Sequence, residues 1–160
     1  MELVIYPDQR LRKVCEEVKD ITDEVRSDIE GMIKVLEAHS NGIGIAANQC
    51  GVFHRVILVR KDVRGPITVM INPAIIGTED TQVIDDGCLS IPGYTYKTTR
   101  AKLVGVTWQD ISGKEYSDNF MGIESAIIQH EIDHLDGTLF IDHLNRNARK
   151  KFYARYGKEK

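Results

Sequence analysis

His130-Glu131-Ile132-Asp133-His134 places two imidazoles four residues apart with an acid beside the first. On a helix, residues at i and i+4 are offset by only about 40°, so both rings can reach one metal ion. Glu131 then stands next to that ion without having to ligate it, the position of a general base for a hydrolytic water. Ile123, Ala126, Ile127, Ile128, Ile132 and Leu135 around it are apolar, which predicts a buried helix and a dry site. The alternative is chance, since three fixed positions in five also occur in ordinary helices. Unpaired polar groups are costly to bury, and that favours a metal for two histidines and an acid in an apolar helix.

Catalytic sites of this kind usually have three protein ligands. One zinc-protease pattern continues to a third histidine, but here Gly137 is followed by Phe140 at that position. Another draws a glutamate from a later helix, yet beyond Asp142 the only carboxylate side chain is that of Glu159. Cys88, in Asp86-Gly87-Cys88-Leu89-Ser90, is the better candidate, with a glycine to permit the bend that aims it. The alternative for Cys88, as for Cys15 and Cys50, is a small buried apolar residue.

Gly42-Ile43-Gly44-Ile45-Ala46-Ala47-Asn48-Gln49 lacks the third glycine of a dinucleotide loop and the Lys-Ser/Thr of a phosphate loop. Its small residues suit close approach of a peptide backbone added as an extra strand. Gln49 can offer an amide N–H to a developing oxyanion. A helix stop followed by a tightly packed strand is the competing reading.

The elements that must position these residues follow from periodicity. Val25, Ile29, Met32, Ile33 and Leu36 predict one helix face over about Glu24 to His39, capped by Thr22 or Asp23 and ended by Asn41-Gly42. Strand-like runs cover Arg55–Val59, Thr68–Ile71, Gln82–Ile84 and Lys102–Trp108. A turn at Asp110–Gly113 leads to a strand near Glu115–Phe120. The HExxH helix runs from about Ile123 to Asp136 with Gly137 as its stop, and a third, basic helix covers about 144–157. Strands grouped between helices predict an α+β fold with antiparallel sheet.

The 160 residues suit one domain, 1–160. With 28% charged and 42% hydrophobic residues the chain reads as globular, and a net charge of −3 gives no pull toward DNA or membrane. Three cysteines do not form a disulfide framework, which suits a reducing compartment. The expected location is cytoplasmic, or organellar if a transit peptide has been removed.

Together the three motifs resemble the signatures of the peptide deformylase family: GφGφAAxQ, EGCφS and QHEφDHφxG, with φ apolar. They read here as Gly42 to Gln49, Asp86 to Ser90 and Gln129 to Gly137, in matching order and spacing. The flanking Ile91-Pro92-Gly93, Arg100 and the start Pro7-Asp8-x-x-Leu11 also fit. The resemblance implies antiparallel sheets wrapped around a central HExxH helix, with a C-terminal helix, and removal of the formyl group from the N-terminal formyl-methionine of new polypeptides. It implies one divalent metal per chain, Fe2+ natively and otherwise Zn2+, Ni2+ or Co2+, on Cys88, His130 and His134. Glu131 would be the general base, with Gln49 and the Leu89 backbone N–H as oxyanion donors. Ile43, Ile123, Ala126 and Ile127 would receive the methionine side chain. Gly44 would bond the peptide backbone, and Asp86 and Gly87 would shape the wall. Asp86 replaces the family's usual glutamate, which keeps the charge and shortens the reach. The basic tail of Arg146, Arg149, Lys150, Lys151, Arg155, Lys158 and Lys160 is either a solvated helix face or a contact to ribosomal RNA phosphate. Two rivals stand beside this reading: an HExxH zinc endopeptidase, and an inactive relative that binds peptide or ribosome.

Overall fold

The computed structural model describes residues 1–159. Helix α1 spans Asp23–Glu37, and the Thr22 hydroxyl caps it by accepting from the Val25 N–H at 3.3 Å. It buries Val25, Ile29, Met32, Val35 and Leu36, so Val35 completes the inward stripe where Ile33 was expected. The chain then turns through residues 38–43 into β1, Gly44–Ala46, and a short 3-10 turn, Ala47–Cys50. The glycine-rich segment is thus both a packed strand and the support of Gln49.

Strands β2 (Val56–Val59), β3 (Thr68–Cys88), β4 (Ile91–Gln109) and β5 (Glu115–Met121) join β1 in one antiparallel sheet, in chain order. The runs expected separately at Thr68–Ile71 and Gln82–Ile84 are two parts of β3, and the run at Lys102–Trp108 begins eleven residues earlier, at Ile91. Register shifts at Ile71/Ala74, Ile75/Gly77 and Gly87/Cys88 interrupt the alternation on which a strand pattern depends. Asn72, at φ 51°, and Asp80, at φ 57°, add turn-like residues inside a strand.

Helix α2, Ile123–Leu135, packs against all five strands. Gly137, at φ 75°, follows it, and an added Cβ there would lie 2.5 Å from the Arg12 carbonyl oxygen. Helix α3, Arg146–Tyr156, is capped by the Asn145 side chain accepting from the Ala148 N–H at 2.9 Å. Lys160, counted with the basic tail, lies outside the described residues.

Residues 1–18 form a strap with little regular structure. Its backbone is nonetheless tied down: Val4 N–H donates to Gln49 O at 2.7 Å, Tyr6 N–H to Ser90 O at 2.9 Å and Cys15 N–H to Leu135 O at 2.8 Å. Two apolar clusters result, a main one between sheet, α1 and α2, and a smaller one where the strap and α3 meet around Phe152. Among the described residues no helix is long and apolar enough to cross a membrane.

Candidate metal centre

Helix α2 delivers His130 and His134 to one place, and the end of β3 delivers Cys88. His134 Nε2 lies 3.2 Å from His130 Nε2 and 3.3 Å from Cys88 Sγ. Metal bonds of about 2.0 Å to nitrogen and 2.3 Å to sulfur give donor separations of roughly 3.3–3.6 Å in a tetrahedral site, so this set fits a shared cation. Both imidazoles are buried, and Cys88 is half-buried. Phe140, at the third-histidine position of the protease pattern, packs its ring against that of His130 at 5.9 Å.

The two histidines are held differently. His130 Nδ1 meets Asp86 Oδ1 at 2.8 Å, which leaves Nε2 for the site. His134 Nδ1 is buried with no hydrogen-bond partner among the described residues. Burial disfavours a charged ring at both positions. For His130 the Asp86 and Cys88 contacts outweigh it and raise the pKa well above the usual value. At His134 burial and the neighbouring His130 act together to lower it. Both rings must offer a deprotonated Nε2 to ligate a cation, so a cation bound here would take the place of the proton that Asp86 and Cys88 favour on His130.

Asp86 is buried, and its Oδ2 accepts from Arg100 Nε and Nη2 at 2.9 and 2.8 Å and from the Thr98 hydroxyl at 2.9 Å. Burial alone would raise its pKa; His130 and Arg100 pull it well below the usual range. The shorter carboxylate thus reaches both His130 and Arg100. Arg100 Nη1 also donates to Asp133 Oδ2 at 2.9 Å, fastening α2 to β4 through charge-assisted bonds.

Glu131 is buried, and its Oε2 has no hydrogen-bond partner among the described residues. Burial raises its pKa to about 7, with Asp86 adding to the shift and His130 opposing it. That value suits proton transfer near neutrality. A Cβ at Gly44 would lie 2.8 Å from Glu131 Oε1 and 3.0 Å from Ile127 Cγ2, so any larger residue would push the carboxylate from its place. Gln49 Oε1 accepts from the Ala46 N–H at 2.9 Å, while its Nε2 donates to Ser90 Oγ at 3.1 Å and Cys88 Sγ at 3.4 Å.

A cleft of about 590 Å³ opens over this centre. Ile43, Gly44, Asp86, Gly87, Cys88, Leu89, Ile123, Ala126, Ile127, His130 and Glu131 all line it, and Gln49 and His134 join it through their contacts to Cys88. Leu3 and Ile5 of the strap also line it and were not anticipated; the continuous apolar run Leu3-Val4-Ile5-Tyr6 is the signal that could have placed the strap against the fold. Thr98 and Asn48 carried no such signal. Cys15 and Cys50 lie elsewhere, and burial pushes their thiols up to about 11 and about 12.

Residues 1–150 match the family model described as polypeptide deformylase. The chain is 40% identical to a peptide deformylase of Afipia carboxidovorans, over 98% of this chain and 94% of that one. Its fold superposes on the crystal structure of peptide deformylase from Plasmodium falciparum with a TM-score of 0.87 and 34% identity, covering 95% of this chain and 91% of that one. The Ehrlichia chaffeensis peptide deformylase gives a TM-score of 0.88 at 30% identity, covering 94% and 91%.

Proposed function

The chain belongs to the peptide deformylase family, and from that premise we propose that it hydrolyses the formyl amide at the N-terminal formyl-methionine of new polypeptides, releasing formate. The observation that carries this reading is the convergence of one thiol and two imidazoles beside a buried carboxylate, at the floor of a peptide-sized cleft.

Cys88, His130 and His134 would hold a single divalent cation, Fe2+ natively, with Zn2+, Ni2+ or Co2+ also accommodated by this donor set. When bound, the cation supplies Lewis acidity toward the formyl carbonyl and the attacking water. Glu131 accepts the proton of that water as its oxygen bonds to the formyl carbon, and returns it to the amine as the C–N bond breaks. Gln49 Nε2 and the Leu89 N–H stabilise the developing oxyanion. Ile43, Ile123, Ala126 and Ile127 form the apolar receptor for the methionine side chain. Gly44 pairs with the substrate backbone along the edge of β1, and Asp86 and Gly87 complete the opposite wall. Chain 1–160 acts as one catalytic domain, cytoplasmic or organellar. The exposed cations of α3 are its contact to the ribosome.

The endopeptidase alternative has no support in the third-ligand position, which Phe140 fills with an apolar ring. The test is anaerobic loading with Fe2+ followed by formate release from a formyl-Met peptide. Glu131→Gln should lower kcat by about 100- to 10,000-fold, the range of general acid–base catalysis, with cation content retained. Undiminished turnover would remove Glu131 as the base. Internal cleavage of unformylated peptides would favour the endopeptidase.

A further inference from the structure

We propose that Asn48 is a positioning residue that sets the distance between Cys88 and His134. The inference rests on the metal-centre reading above. Cys88 and His134 come from separate elements, the end of β3 and the end of α2, yet their donor atoms must meet within 3.3 Å. His130 is oriented through its ring by Asp86, but His134 has no partner at Nδ1 among the described residues. Outside the site itself, His134 is held through its backbone.

That backbone is gripped by Asn48. The Asn48 side chain is fully buried, and its Nδ2 donates to the carbonyl oxygens of His134, Lys13 and Leu11. The His134 carbonyl is one of the last four of α2, which lack partners inside the helix. Asn48 supplies one donor there, and the Gly137 N–H supplies another at 2.9 Å. Asn48 Oδ1 accepts nothing among the described residues, so the amide is oriented by its NH2 alone. A buried polar side chain with half its capacity unused is unfavourable for folding, which argues that its place is set by what the NH2 holds.

The next residue completes the link. Gln49 sits on the same 3-10 turn and donates through Nε2 to Cys88 Sγ and Ser90 Oγ. Two consecutive side chains thus grip opposite sides of the Cys88–His134 edge, one at the sulfur and one at the helix end. The strap anchors the same turn through Leu11, Lys13 and the Val4 bond to Gln49 O. Asn48 touches neither substrate nor the reacting atoms; it acts through His134.

The experiment compares Asn48→Ala with Val104→Ala, a fully buried sheet position chosen as a control for general loss of stability. Both full-length proteins are loaded with Co2+, and the thiolate-to-cobalt absorption, cobalt affinity, kcat and KM are measured. Asn48→Ala should weaken cobalt affinity or lower kcat by about 10- to 100-fold, the effect of losing an outer-sphere contact, with KM nearly unchanged. Its cobalt spectrum should shift while that of Val104→Ala stays like wild type. Asn48→Ser, which keeps a donor but not the reach, should fall between, and it carries the comparison where the alanine variant does not fold. A spectrum and affinity that match Val104→Ala would overturn the proposal. A wild-type protein that binds cobalt but releases no formate would instead overturn the activity assigned above, and the spectral comparison would still decide the role of Asn48.

Discussion

Helices α2 and α3 are of similar length and both carry several ionisable residues, yet the fold treats them in opposite ways. Helix α2 buries His130, Glu131 and His134 together with its apolar residues, and Asp86 with Arg100 braces it from outside. Helix α3 buries only Phe152 and leaves Arg146, Arg149, Lys150, Lys151 and Arg155 exposed. In the first helix, ionisable groups are buried where they meet one another and a bracing partner, and the proposed activity gives their desolvation a use. In the second, charge stays in water, and the rings of Phe152 and Tyr156 do the attaching. Phe152 packs on Tyr6, Tyr94 and Tyr156 with ring centroids 5.2, 4.9 and 4.8 Å away, joining the C-terminal helix to the strap and to β4.

The contrast can be broken at three strengths. Phe152→Ala should have the largest effect on stability, about 3–5 kcal/mol for a buried aromatic truncation, read as a lower Tm. Turnover per folded molecule should be retained, since Phe152 does not line the cleft. A specific loss of turnover would mean that α3 supports the centre as well as the fold. Asp86→Asn should come next, weakening cation affinity by about 10- to 100-fold by loosening His130. Equilibrium dialysis against Zn2+ measures this, and an unchanged affinity would show that His130 is oriented by other contacts. Smallest is Lys150→Glu with Lys151→Glu, expected to move stability by less than about 0.5 kcal/mol and leave kcat unaltered. The same pair should abolish salt-sensitive sedimentation with ribosomes. Undiminished cosedimentation would leave these lysines as a solvated face.

Helix α2 was legible in the sequence because the spacing of His130 and His134, the apolar run and Gly137 all agree on one element. Helix α1 was equally plain apart from one position, Val35, since a stripe of period 3.6 leaves neighbouring positions on its border. The long strands were not. Pro92 and Gly93, the latter at φ 76°, lie within β4, and Gly77 and Asp80 lie within β3, residue types that interrupt a strand pattern. Bulged strands with exposed polar middles lack the period of two that identifies them. Of the site, the lining residues Ile43, Ile123, Ala126 and Ile127 came from the family resemblance rather than from any pattern. Arg100 stands out in the sequence only as a flanking match, and its bridge from Asp86 to Asp133 is a long-range contact that no local signal encodes.

The uneven setting of the three cysteines has a practical consequence. Cys15 and Cys50 are sealed in the core with their thiols held protonated, while Cys88 keeps a partly open sulfur at the cleft. A thiol reagent applied to the native protein should therefore label a single site, and an ion seated there should shield it. The chain carries its own gauge of loading, readable by colour without any substrate.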